Sequence, residues 1–504
     1  MSYTSRGRKD LPAVLLLIFS ALVIFFPVFY TEYAYTDELV GLWQWRSGIA
    51  DSSGTLFLYG RVITAKLAAL LFGSVSTIGG LTGIRLFSLA GWLLSIPVWY
   101  FILKKIVQAE KLPAPLAFLS VLYMICTPSV LVSVGWAACF ELFLANTLGL
   151  VSGYLLYTGI RSDQNRLKVN YGWLAASAVC GLLCLFTYQN CFGCFLLPFL
   201  MVLLSSSRPT PKSGIGVAVY FLIYGLYYVL FKYSLHVLHL DESVRTGLHI
   251  NVGNKIPFFL ARPLNSAFHF TLIFNEKSGT GLILYALIAG TWLLVSGRQR
   301  RMQGWKPLTV YFLSLFCLLG LIYLPSLVVK ENFASNRTLL PLSMAVFMMV
   351  AETFLRMQGA GKRSGAFIPV LSVLLIGNAV YNFNWQYLHP VRKEYEAVRG
   401  FISQHYKTGL DSVCFVRPGE DFFERRFGIN RSWDEIGVPS TFFGWTPEFL
   451  VKQVVLEQTG KKELADHLII SSTPGNRNED GKEALQGPSP HCLLVNTEAL
   501  LTER

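Results

Sequence analysis

Apolar positions along this chain come in long unbroken blocks rather than at every second or every third to fourth place. Each block runs about 17–22 residues, the length a helix needs to cross roughly 30 Å of hydrocarbon, and short polar loops separate them. The blocks are apolar on every side, unlike the one-sided helices of a soluble core. They predict about eleven spanning helices, at 11–30, 84–103, 113–133, 138–160, 171–187, 190–207, 214–235, 278–297, 307–326, 337–356 and 365–384.

Arg6, Arg8 and Lys9 precede the first block, and Thr31 to Tyr35 after it offer no small-residue cleavage site. The block therefore reads as an uncleaved anchor with a cytoplasmic N-terminus. Alternate loops then carry Lys104, Lys105 and Lys111; Arg161, Arg166 and Lys168; Arg208 and Lys212; Arg298, Arg300, Arg301 and Lys306; Arg356, Lys362 and Arg363. That is the cytoplasmic excess of basic residues expected of a multispanning protein, and it places the C-terminal region on the opposite face. The outward connections 31–83, 236–277 and 327–336 are long or polar. Ala65 to Leu71 is too short to span and suits a helix lying in the interface.

After Asn384 the pattern changes. Residues 392–399 alternate as an amphipathic helix. Val413–Val416, Leu468–Ile470 and Leu493–Val495 read as strands, with a second helix over Thr446 to Glu457. The fold expected is a polytopic α-helical membrane domain over 1–384 and a small C-terminal α/β extracytoplasmic domain over 385–504. There is no internal repeat.

Composition agrees. Hydrophobic residues make up 53% and charged residues 14% of 504, against about 25% charged in soluble domains. The net charge of +13 sits mostly in membrane-edge loops, which argues against nucleic acid as a partner. Of nine cysteines, Cys126, Cys139, Cys180, Cys184 and Cys317 fall inside apolar blocks, as small buried hydrophobes do. Cys191 and Cys194 open another block and read as packing. Cys414 and Cys492 lie in the terminal region, where an oxidising compartment would allow them to pair.

Candidate chemistry gathers on the outward loops. Thr36-Asp37-Glu38 follows the first span. Acids there suit a helix start capped by Thr36, and equally a general base of raised pKa near lipid headgroups. Side chains of adjacent helical residues diverge by about 100°, so one of the two faces a substrate. Asp37 is the preferred base, with Glu38 orienting it or binding acceptor hydroxyls. Arg61, after Tyr59-Gly60, is a cation on the disfavoured side of the membrane and suits a phosphate clamp. Lys330 and Arg337 add positive charge at the outer end of a later span. Further substrate-binding candidates are Trp43, Tyr59, Glu141, Arg245, Arg262 and Asn336. Trp43, Trp45, Phe57 and Tyr59 make an interface belt with a second use in stacking on sugar rings. His236, His239, His249 and His269 lack metal-ligand spacing, so no metal site is expected. No Walker pattern or nucleophile elbow is present.

Tyr35-Thr36-Asp37-Glu38, Gly60-Arg61, Ile84-Arg85-Leu86-Phe87-Ser88 and Asn336-Arg337-Thr338 with Pro341 resemble the GT-C class of membrane glycosyltransferases. Within it the chain is most similar to the O-antigen serotype-conversion glucosyltransferases, over roughly residues 10–390. Many of those relatives carry two aspartates where this chain has Asp-Glu, which leaves the base as Asp37 or Glu38. The resemblance implies transfer of a sugar from a polyprenyl-phosphate donor to an extracytoplasmic glycan acceptor in the plasma (inner) membrane. A single displacement inverts the anomeric carbon, and arginines that hold the lipid phosphate leave no need for a metal or other cofactor; a donor-synthesising enzyme and a flippase are the further partners expected. The rival readings are a lipid-linked-glycan polymerase or ligase, a transporter or flippase, and a non-catalytic protein working through residues 385–504.

Overall fold

The computed structural model describes all residues except 1–3, 48–50, 164–165, 242, 244–246, 249–250, 276–277, 301–303, 359–363, 408–409, 476–491 and 503–504. Arg245 and His249 lie outside the described residues. Helix α1 (Thr4–Phe25) is followed by three short helices, α2 (Asp37–Ser47), α3 (Asp51–Leu58) and α4 (Val62–Gly73). A long α5 (Leu81–Ala109) leads to α6 (Leu116–Cys126), α7 (Pro128–Gly135) and α8 (Leu142–Gly159). Then come α9 (Tyr171–Thr187), α10 (Leu197–Ser206), α11 (Pro211–Val237) and α12 (Val252–Phe259). The last of the bundle are α13 (Gly279–Arg300), α14 (Trp305–Ile322), α15 (Asn336–Gln358) and α16 (Ser364–Tyr381).

This is a polytopic helical membrane protein. Among the described residues nine helices are long and apolar enough to cross a membrane, or ten if α6 and α7 form one bent span. Two of the eleven predicted blocks account for the difference. The block at 113–133 breaks by 47° between α6 and α7, because Pro128 lacks an N–H and holds Thr127 extended. The Thr127 hydroxyl then caps α7 by accepting from the Val130 N–H. The block at 171–187 forms a helix of 17 residues, about 25 Å long, less than the hydrocarbon thickness.

Local chemistry sets the helix starts. Asn170 caps α9 by accepting from the N–H groups of Gly172 and Trp173 at 3.0 and 3.3 Å. Thr210 caps α11, with Pro211 in its first turn. Inside the bundle, α8 presents Gly149 and Gly153 to the 3₁₀ segment Gln189–Leu196; a Cβ at Gly153 would collide with the Phe195 carbonyl. Small residues let membrane helices approach closely where hydrophobicity alone gives no preference. Helix α15 is central, 83% of its apolar window being buried against 17% for α13.

One end of the bundle carries the basic connections around Lys104, Lys168, Lys212, Arg300 and Arg356. Arg300 and Arg356 both pair with the buried Glu352, Arg300 at 3.1 Å, and Lys104 pairs with Asp10. A hairpin of β1 (Ile160–Asp163) and β2 (Arg166–Val169) closes α8 onto α9 there. The opposite end gathers the breaks at Trp136–Phe140, Tyr188–Asn190 and Pro325–Phe333.

At that second end no loop follows residue 384. Helix α16 continues through a π-helical turn, Asn382–Leu388, into α17 (His389–His405). Beyond it, β3 (Ser412–Arg417) pairs in parallel with β4 (Ile469–Pro474) on one side and β5 (Cys492–Asn496) on the other. Helices α18 (Thr446–Thr459) and α19 (Thr497–Thr502) complete this region. Cys414 and Cys492 are disulfide-bonded between β3 and β5. The buried Glu394 of α17 accepts from the N–H groups of Ser440 and Thr441 at 2.7 and 2.9 Å. Arg399 pairs with Glu32 at 2.6 Å, and the Ser440 hydroxyl accepts from the Thr36 N–H at 2.8 Å. The C-terminal region is thereby fastened to the start of the first loop.

Candidate active site

The helix breaks at this end enclose a cleft of about 580 Å³, lined by Asp37, Tyr59, Arg61, Glu141 and Arg337 among others. It lies within the range of about 300–1,000 Å³ usual for small-molecule sites. The charged lining is Asp37, Glu141, Glu331 and Asp434 against Arg61 and Arg337, so the cavity is acid-rich with cations at two points.

Asp37 opens α2 and faces the cleft, whereas Glu38 turns into the protein. Glu38 is fully buried and pairs with Arg85 at 2.5 Å. It also accepts from the Ala137 N–H and from the Tyr35 N–H at 2.8 Å, just ahead of the helix. Burial pushes the Glu38 carboxyl up from its ordinary value, and Arg85 and the two backbone N–H groups pull it back. The expectation that Glu38 binds acceptor hydroxyls is corrected: its oxygens are already committed. Nor does Thr36 cap α2; its φ is 37° and its hydroxyl has no hydrogen-bond partner among the described residues.

Arg61 is aimed by its turn. Gly60 sits at φ +70°, and its N–H and that of Arg61 donate to the Phe57 and Leu56 carbonyls at 2.8 and 2.9 Å. These two bonds close α3 in a Schellman motif. A Cβ at position 60 would collide with the Tyr227 hydroxyl. The Tyr59 carbonyl is held by the Gln189 side-chain amide at 2.7 Å. Arg61 then lies over the Tyr188 ring at 3.9 Å, and among the described residues it enters no ion pair.

Arg337 is differently placed. It pairs with Glu435 at 3.2 Å and Asp434 at 3.3 Å, and it lies over the Trp136 ring at 4.9 Å. Both acids come from a tight turn closed by the Ser432–Ile436 bridge. Glu435 also accepts from the N–H groups of Asn336 and Arg337 at 2.6 and 3.3 Å, so it satisfies the N-terminus of α15. Burial pushes the Glu435 carboxyl up to about 7; Arg337 pulls it down and Asp434 raises it.

The remaining candidates divide. Tyr59 and the buried Glu141 line the cleft. Lys330 does not: it is exposed, and its N–H donates to the Gly247 carbonyl at 3.0 Å. Trp43 is buried in the core, away from the cavity. Arg262 and Asn336 line a second cavity, of about 160 Å³, with His269, Ser432 and Trp433. Among the described residues no group of three or more His, Cys, Asp or Glu side chains is placed to hold a metal ion.

Sequence reading passed over Asp434 and Glu435 and gave Arg85 no role. The signal was present: Asp434-Glu435 repeats the dipeptide Asp37-Glu38. In these two of the chain's three Asp-Glu dipeptides the aspartate lines the cleft, and the glutamate is buried against an arginine, Arg85 in one and Arg337 in the other. No family model, curated protein or solved structure matches this chain.

Proposed function

We propose that this protein is a membrane glycosyltransferase that moves a sugar from a polyprenyl-phosphate donor to a glycan acceptor on the non-cytoplasmic face. The observation that carries the reading is that Asp37 and Arg61 line one cleft of ligand size. Asp37 takes the proton of an acceptor hydroxyl as that oxygen attacks the anomeric carbon. The bond from that carbon to the phosphate oxygen breaks on the opposite side, which inverts the centre. Charge that develops on the departing phosphate is met by the Arg61 guanidinium in a site of lowered dielectric. Arg337, already held by two carboxylates, orders the wall of the cleft rather than clamping phosphate.

Orientation supports the reading. The cleft lies at the end of the bundle away from the basic loops, and those loops belong in the cytoplasm. Tyr224, Tyr227 and Phe231 of α11 line the cleft, while Leu226, Val229 and Leu230 of the same helix are exposed. A polyprenyl tail would lie along that outer face in lipid, with its headgroup inside.

Transport has one observation in its favour, the broken span at Thr127, since discontinuous helices build carrier sites. Mass analysis of surface glycan separates the readings. Cells lacking the protein should regain a glycosyl increment with wild type and not with Asp37→Asn or Arg61→Ala. Full restoration by both variants would discard the transferase reading.

A further inference from the structure

Five buried polar atoms on the lining of the cleft have no hydrogen-bond partner among the described residues: Thr36 Oγ1, Arg61 Nε, Trp136 Nε1, Glu141 Oε2 and Asp434 Oδ1. Thr36, Trp136 and Glu141 are each at most 3% exposed. Buried polar groups in folded proteins are nearly always paired, so a cluster of unpaired ones on residues that line a cavity points to the ligand that completes it. Two of the five are carboxylate oxygens that require donors. Two are N–H groups that require acceptors, and the hydroxyl takes either role. Phosphate alone offers acceptors and would leave the carboxylates repelled. A cation alone would leave the N–H groups unpaired, and a lipid tail would satisfy none. A ring bearing several hydroxyls, each both donor and acceptor, answers all five.

We infer that the wall formed by Trp136, Glu141 and Asp434 is the subsite for the transferred sugar, and that Glu141 selects the donor by accepting hydrogen bonds from its ring hydroxyls. This rests on the glycosyltransferase reading above and adds the group that the enzyme recognises. Glu141 is fixed for the task. It follows the 3₁₀ turn Ala137–Cys139 at the head of α8, and its carbonyl accepts from the Leu144 and Ala145 N–H groups at 3.1 Å each. A ring whose hydroxyls both donate and accept is the class that fits this lining.

The test measures binding to full-length protein in nanodiscs. The probes are undecaprenyl phosphate, its glucose, galactose, mannose and N-acetylglucosamine esters, and an amino-pentose ester. Wild type should bind at least one neutral sugar ester about tenfold more tightly than bare undecaprenyl phosphate. Glu141→Gln, isosteric but presenting a donor, should remove most of that advantage, and Trp136→Phe should reduce it. Arg61→Ala should weaken binding of the bare lipid phosphate as well. If no neutral ester outbinds bare lipid phosphate, or if the advantage survives in both Glu141→Gln and Trp136→Phe, the subsite is wrong while the phosphate site stands. Preference for the amino-pentose ester over every neutral one overturns the hydroxyl assignment. Failure of wild type to bind any of these lipids overturns the transferase reading and this inference together.

Discussion

Adjacent carboxylates here do opposite work, and variants should separate them. Glu38 is fully buried against Arg85, and stripping one partner from a buried pair costs about 3–5 kcal/mol. Glu38→Gln should therefore lower the thermal unfolding midpoint in detergent sharply, and by more than Asp37→Asn. The sequence could place both acids at the helix start but not choose between them. Both follow the first span within the same short segment, and the chooser, Arg85, lies on another helix. Glu435 gives a pH signature. Its folded value of about 7 lies above the ordinary value of about 4.3. Its contribution to stability is thus fully present below about pH 4 and lost as pH rises through about 7. Unfolding midpoints of wild type should fall relative to Glu435→Gln across that window, where the variant has no charge to gain at this position. Parallel curves for the two proteins would contradict the assignment.

At the scale of elements, the spans were legible because their physics is local: a run of apolar residues of sufficient length declares itself. Strands β3, β4 and β5 were legible for the same reason, as short apolar runs between polar loops. Breaks inside the runs were not. Thr127-Pro128 sits within an apolar block, and hydropathy does not register a missing N–H. The π-helical turn that joins α16 to α17 left no mark either, so a boundary expected at 384 is a continuous helix. The turn at Gly60 is the element that directs Arg61. Gly60→Ala forces a side chain into the left-handed region, at about 1–2 kcal/mol, and against the Tyr227 hydroxyl. Weaker donor binding is expected than in wild type, to an extent approaching Arg61→Ala. Wild-type donor affinity in Gly60→Ala would show that the turn does not set the guanidinium.

At the scale of the whole molecule, the cleft is assembled from both ends of the chain. The first loop supplies Asp37 and Arg61, and the C-terminal region supplies Asp434 while tying itself to Thr36 and Glu32. Contacts so distant in sequence leave no periodic trace, which is why Arg337 read as a phosphate ligand when it is held by Asp434 and Glu435. The proposed topology can be tested on the same molecule. A cysteine placed at exposed Lys111 should react with a membrane-impermeant maleimide only from the cytoplasmic side, and one at exposed Glu463 only from the opposite side. Labelling of both from one side would remove the orientation.

The most direct test of the central claim is single-turnover consumption of a radiolabelled polyprenyl-phosphate sugar by proteoliposomes supplied with surface glycan. The account predicts transfer by wild type and a loss of about 10²–10⁴-fold in rate for Asp37→Asn, with donor still bound. Transfer at the wild-type rate by Asp37→Asn would contradict it.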